Sequence, residues 1–291
     1  MDVESHKEIE FIDVFLDCDT KLFIDSYLIE CSDDIWCKES NRIIKDFFSV
    51  LTKMYKFKKS KEEKLSFLNH SHEINATKLG YGDAKHGKAC GSEKMLEYSE
   101  AFERLIDKGM ELEKLGQFVI FTKGFAEDKL SDMLSNILFY QLNSFTLEQC
   151  AKLRIETSLI NKPYSYWLEE SGWNDFYGEC LMIKNELILL VTKRIVSEKF
   201  EYTASDYLKK EIIKAIQDSE LEVRDRKIRK PTQKSIEKKP KSSGESNVEL
   251  IIKYTLEDNE HLRKYDRRLI ENYTSNNLTI SDDELDILLK K

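Results

Sequence analysis

Three prolines and ten glycines are all that interrupt 291 residues. This scarcity of chain breakers constrains the fold more than any motif does. Two of the prolines lie in one stretch, 223–247, and four of the glycines fall within 80–91. Elsewhere the composition argues for long regular elements, mostly helices, and against a turn-rich β sandwich. "SNRIIKDFFSVLTKMYKF" places Ile43, Ile44, Phe47, Phe48, Leu51, Met54 and Tyr55 at helical spacing. "KSKEEKLSFL" continues in helix, and Ser92 can cap a helix over about 93–114. "GQFVIFT" (116–122) reads as a buried strand, and 127–142 as one helix. Thr146 and Gln149 have the spacing of a capping box for the helix after it. Residues 10–29 suggest one or two short strands or extended segments. "ECLMIKNELILLVTKRIV" suggests two strands turning around Lys184, Asn185 and Glu186.

The expected fold is α+β. A helix-rich body with a small sheet or hairpin spans 1–222 and contains the glycine-rich loop 80–91. A basic flexible linker (223–247) joins it to a C-terminal helical unit (248–291), where Ser281 and Glu284 form a second capping-box pattern. Hydrophobic residues at 41% suffice for a substantial core, while charged residues at 34% imply a heavily charged surface. Residues 224–241 hold nine Lys or Arg against two acids, a net +7. The whole chain carries −8, so everything outside that stretch carries −15. Such a balance does not advertise nucleic-acid binding for the molecule as a whole. The six cysteines are scattered without a C-x-x-C pair, as in a reduced cytoplasmic protein. The polar, acidic start and the lack of a spanning apolar run lead us to expect no membrane segment.

The sharpest candidate site is "FAEDKLSDMLSNILFY" (125–140). Asp128, Asp132 and Asn136 are spaced by four and form one helical stripe, opposite Leu130, Met133, Leu134, Ile137 and Leu138. A solvated face is one explanation. Phe139 projects close to Asp132 and Tyr140 near Asn136, however, which suits a groove where two carboxylates hold a divalent cation, magnesium or manganese, or share a proton. The glycine-rich loop reads Gly82-x-x-x-x-Gly87-Lys88, but Ala89 replaces the magnesium-binding hydroxyl of a P-loop. Lys85, His86 and Lys88 remain available to phosphate. "NHSHE" offers His70, His72 and Glu73, without a third ligand at recognisable spacing. A metal-dependent nuclease core would need an acid on one strand and Glu-x-Lys on the next. Asp175 and Glu179 precede the hairpin, but Glu186 and Lys193 are seven apart and fall on opposite faces of a regular strand. Arg224, Arg226, Lys227, Arg229 and Lys230 offer sequence-blind contacts to phosphate, since no aromatic residue accompanies them. A charged tether accounts for the same composition.

"KLFIDSYLIECS", "LGYG" leading into "HGKACG", "EDKLSDMLSNIL" with "FTLEQC", and "ELILLVTKRIV" resemble, in that order, a group of uncharacterised bacterial proteins associated with mobile elements and defence islands. The likeness spans roughly 10–200, with the segment around "EHLRKYDR" added. Those relatives carry Gly-x-Asp-x-Ile-Ser-Asp where this chain has Asp128 and Asp132, with Ala126 at the glycine position and Thr192 where proline is expected. The resemblance implies a phage-defence component and supplies no reaction. Two expectations follow: a metal-dependent nuclease-like effector within a multi-protein complex, or a non-enzymatic subunit docking a partner enzyme or nucleic acid through its basic linker and C-terminal helices.

Overall fold

The structure, a computed structural model, describes residues 5–71, 74–81, 92–122, 124–220, 222–224, 227–236, 247–276 and 278–289. A 3₁₀ turn (His6–Glu8) leads through extended chain to β1 (Phe23–Ile24). Asp25 caps α1 (Ser26–Cys31) and Asp34 caps α2 (Ile35–Lys56) through side-chain bonds to backbone N–H groups. α2 buries Ile43, Ile44, Phe47, Phe48, Leu51 and Tyr55, the stripe its periodicity predicts. α3 (Lys61–Leu68) starts on a capping box of Ser60 and Glu63. After α4 (Ser92–Asp107) come α5 (Gln117–Phe121), α6 (Glu127–Ile137) and α7 (Phe139–Leu153).

Three expectations change here. Residues 117–121 are helical rather than a strand. All five are buried, and a continuous apolar run has no period to separate the two states. The helix expected over 127–142 is two helices. Leu138 leaves helical geometry at φ −96° and ψ 15°, without a glycine or proline to mark the break. Thr146 caps nothing: inside α7 its hydroxyl donates to the Leu142 carbonyl (2.7 Å) and accepts from the Leu190 N–H (2.9 Å). It braces the helix against the chain leaving the sheet.

β3 (Tyr164–Leu168) and β4 (Gly172–Phe176) form a hairpin with Trp167 opposite Trp173. β2 (Ser158–Leu159), β5 (Glu179–Ile183) and β6 (Glu186–Ile188) make a three-stranded antiparallel sheet in the order β2-β5-β6. The expected turn is present between β5 and β6. Lys184 and Asn185 both take positive φ, 52° and 66°, as a tight two-residue hairpin turn requires. β7 (Val196–Ser197) closes against β1. α8 (Ala204–Tyr207), a π turn (Leu208–Ile212) and α9 (Ile213–Ser219) follow. The stretch expected as a flexible linker contains β8 (Glu222–Arg224), paired with β9 (Lys227–Arg229), and a helical turn at 233–236. Its remainder, 237–246, lies outside the described residues.

α10 (Asn247–Glu257), α11 (Glu260–Ser275) and α12 (Asp282–Leu288) complete a helix-rich α+β fold with a C-terminal helical region. The Ser281–Glu284 capping box is formed. These helices share one core with the body: Ile251, Leu262, Tyr265, Leu269, Tyr273 and Leu285 are buried in the same cluster as the α2 phenylalanines. Among the described residues, no helix is long and apolar enough to cross a membrane, and the five described cysteines are free thiols.

Candidate functional site

α6 lies across β1. The Ser131 hydroxyl accepts the Ile24 N–H at 3.0 Å, and Leu130, Met133, Leu134 and Ile137 are fully buried. This seating turns the 128–132–136 stripe along a boundary rather than toward open solvent. Asp128 and Asp132 are half-buried, and Asn136 is only 2% exposed. The Asn136 amide donates to the Asp132 carbonyl (3.1 Å), one turn back on its own helix. Phe139 stacks on Tyr164 (5.3 Å between ring centroids), and Tyr140 packs against Tyr166 (5.5 Å). The aromatic residues beside the acids are therefore explained by the β3–β4 hairpin, which sits on the start of α7.

The opposite side of the acidic ledge is a strap, residues 74–81. Thr20 N–H donates to the Lys78 carbonyl (2.8 Å), and Gly80 N–H donates to the Thr20 carbonyl (2.9 Å). The Tyr81 N–H then donates to Asp128 Oδ1 at 3.2 Å. Gly80 has φ +146°, and a Cβ there would lie 2.7 Å from Asp128 Oδ1 and 3.8 Å from Asp19 Oδ2. Two carboxylates thus flank the Gly80 backbone, and only glycine fits between them. The Tyr81 ring rests on Phe23 (4.6 Å) with the Lys21 ammonium 5.6 Å from its centroid. Burial, with the negative charges of Glu127 and Asp128, pushes the Tyr81 phenol above its ordinary value.

The strap ends where the glycine-rich loop begins. Gly82, Lys85, His86, Gly87, Lys88 and Ala89 lie outside the described residues, as do His72, Glu73 and Arg226. His70 stacks on Trp173 (5.2 Å) and shares a 2.9 Å hydrogen bond with Ser165. Glu186 and Lys193 are not brought together: Glu186 bonds Lys78 and Lys193 reaches Asp282. Among the described residues, no three His, Cys, Asp or Glu side chains converge as a metal centre. The ledge offers fewer protein ligands than a closed structural site. Of the basic residues, Arg224 pairs across the β8–β9 ribbon with Lys227, Arg229 faces Glu222 in register, and exposed Lys230 bonds Asp218 at 2.5 Å.

Two features carry no motif and emerge only from the fold. Asp25 is completely buried. One carboxylate oxygen accepts from the Tyr27 N–H (2.9 Å) and the Tyr202 hydroxyl (3.1 Å); the other accepts from Ser197 (3.2 Å) and Tyr273 (2.8 Å). Burial raises this carboxyl to about 6 against the pull of those donors. The second feature is Lys78, 4% exposed, whose ammonium donates to Glu186 at 2.8 Å beside a cavity of about 530 Å³. The same bond holds the Glu186 carboxyl below its ordinary value.

The family described as a domain of unknown function, DUF8370, matches residues 2–203. That span contains the ledge, the strap, both large hairpins and Asp25, and stops short of α8–α12. Neither curated proteins nor solved structures give a match to this chain.

Proposed function

The chain belongs to the DUF8370 family, whose description assigns no activity, and we propose that it acts on nucleic acid as a component of bacterial anti-phage defence. In this reading it is a metal-dependent, nuclease-like hydrolase whose magnesium or manganese ion is held by Asp128 and Asp132. The observation that carries it is the placement of Asp128, beside Asp19, at the point where the strap passes into the glycine-rich loop. Magnesium keeps several waters and binds proteins through one or two carboxylates, the phosphate oxygens of the substrate completing its shell. A half-buried ledge with two acids suits that mode better than it suits zinc, which needs three or four protein ligands. An ion so held would polarise the phosphodiester and activate a water. Asn136 anchors the deeper end of the stripe, and Lys85 or Lys88 would supply the positive charge that meets the phosphate. The association with phage defence is supported by the resemblance of the stretches from "KLFIDSYLIECS" to "ELILLVTKRIV" alone.

The test is incubation of the purified protein with magnesium or manganese and plasmid DNA or RNA, resolved on a gel. Cleavage should require the metal and disappear in Asp128→Ala/Asp132→Ala while the melting temperature stays close to the parent's. Wild-type-like cleavage by the double variant would sink the site.

One observation favours a second reading, a nucleic-acid-docking subunit. A two-stranded ribbon, the shape a DNA major groove admits, carries Arg224, Lys227 and Arg229. Binding of this kind would weaken steeply with salt, and replacing those residues with glutamate would abolish it without affecting metal-dependent cleavage.

A further inference from the structure

The cavity beside Lys78 opens between the strap, the 158–164 segment and the β5–β6 hairpin, and its volume of about 530 Å³ is that of a small-molecule site. Its apolar surface comes from buried Leu187 and half-buried Ile74, Ile160 and Met182. Around these stand polar groups of two kinds. Asn75, Asn161 and Asn185 are exposed carboxamides, each pairing a donor with an acceptor. Lys78 and Lys162 supply positive charge, and Lys162 also stands 5.4 Å from the centre of the Tyr164 ring, which lines the same space.

Lys78 is the unusual member. A buried ammonium has three donors to satisfy, and Glu186, itself 63% exposed, takes one of them. The backbone of Lys78 is left-handed, φ 54°, and so is that of Asn75, φ 47°. Non-glycine residues held in that region cost free energy and gather at functional sites. Nothing in a tight turn demands them here, because the strap runs on, held by Thr20 on both sides of Leu79. The conformation carries the lysine side chain out of solvent and onto the cavity wall.

We propose that this cavity is a nucleotide-binding site. The phosphate takes the free donors of Lys78 with help from Lys162, the asparagine amides hydrogen-bond the base edge and sugar, and the apolar surface covers the base. Glu186 then acts as an internal stand-in for the phosphate, occupying the ammonium until a stronger anion arrives. The site is separate from the Asp128 ledge and does not depend on the activity proposed there.

Calorimetric titration and thermal shift of the full chain test it, using adenosine, guanosine, cytidine and uridine 5′-monophosphates, the four nucleosides, and inorganic phosphate. At least one nucleotide should bind and raise the melting temperature more than its nucleoside or phosphate does. Lys78→Met should weaken that binding by about tenfold or more, the scale of a charge-assisted hydrogen bond. Glu186→Gln, which removes the competing carboxylate, should tighten it severalfold; a purely structural ion pair would give only a lower melting temperature. Should Lys78→Met fail to fold, exposed Asn161→Ala carries the test by weakening binding in a folded protein. Asp128→Ala should leave the titration unchanged. The proposal is overturned if no nucleotide binds at millimolar concentration, if phosphate alone gives the whole shift, or if Asn161→Ala and Glu186→Gln both titrate like the parent.

Discussion

At the scale of single residues, Asp25 shows how much of this protein rests on one buried charge. Its folded carboxyl keeps a proton up to about pH 6, whereas an unfolded aspartate releases it near 3.8. The folded state therefore binds the extra proton between those values. Asp25's contribution to stability is full below the unfolded value and is lost as pH rises through 6, a swing of roughly 3 kcal/mol. Above that window the carboxylate depends on its donors, of which Tyr273 is the shortest. Tyr273→Phe should cost about 1.5–3 kcal/mol at pH 8 and clearly less at pH 5; urea unfolding at the two pH values checks this, and equal losses would refute it. Gly80→Ala should destabilise by about 1–3 kcal/mol through its strained φ and its clash with Asp128, a loss that Asp128→Ala in the same chain should partly relieve. The stripe itself was legible, because a spacing of four survives translation into any helix. Asp25 was not, since its hydroxyl partners lie 172 to 248 positions further along the chain.

Elements were readable wherever a side-chain period had room to repeat. α2 and α11 each have more than four turns, and their apolar faces are the ones their spacing predicts. α5 has five residues, all buried, and Val119 and Ile120 give it the look of a strand. The break at Leu138 has no local signal, because what ends α6 is the hairpin packed against Phe139 and Tyr140. The capping pattern at Thr146 misleads for a related reason: the hydroxyl serves Leu190, just past β6 and 44 positions away. The joint between α6 and β1 is held by one polar bond in an apolar setting. Ser131→Ala leaves the Ile24 N–H buried without its acceptor, so it should cost about 1–3 kcal/mol. Chemical denaturation measures the cost, and Ser135→Ala, whose hydroxyl donates to the Ser131 carbonyl within α6, should cost less.

For the molecule as a whole, the family match ends at residue 203, but the core does not. Ile251, Ile252, Leu262, Tyr265, Leu269, Tyr273, Leu285 and Leu289 are buried in the common cluster. At about 1.5–3 kcal/mol for each large side chain, their combined loss, about 12–24 kcal/mol, matches or exceeds the roughly 5–15 kcal/mol by which domains of this kind are stable. A chain ended after residue 246 should lose its cooperative thermal transition, as followed by circular dichroism, rather than leave an intact body. Position in the chain gives this arrangement a temporal side. Asp25 leaves the ribosome before its partner Tyr273, which follows 248 positions later. His6 likewise waits 280 positions for Asp286. At roughly 5–20 residues per second of synthesis that interval is roughly ten seconds to a minute. Throughout it Asp25 lacks its shortest hydroxyl donor, and the apolar seat of the last helices is uncovered. The growing chain thus exposes aggregation-prone apolar surface until those helices have been made.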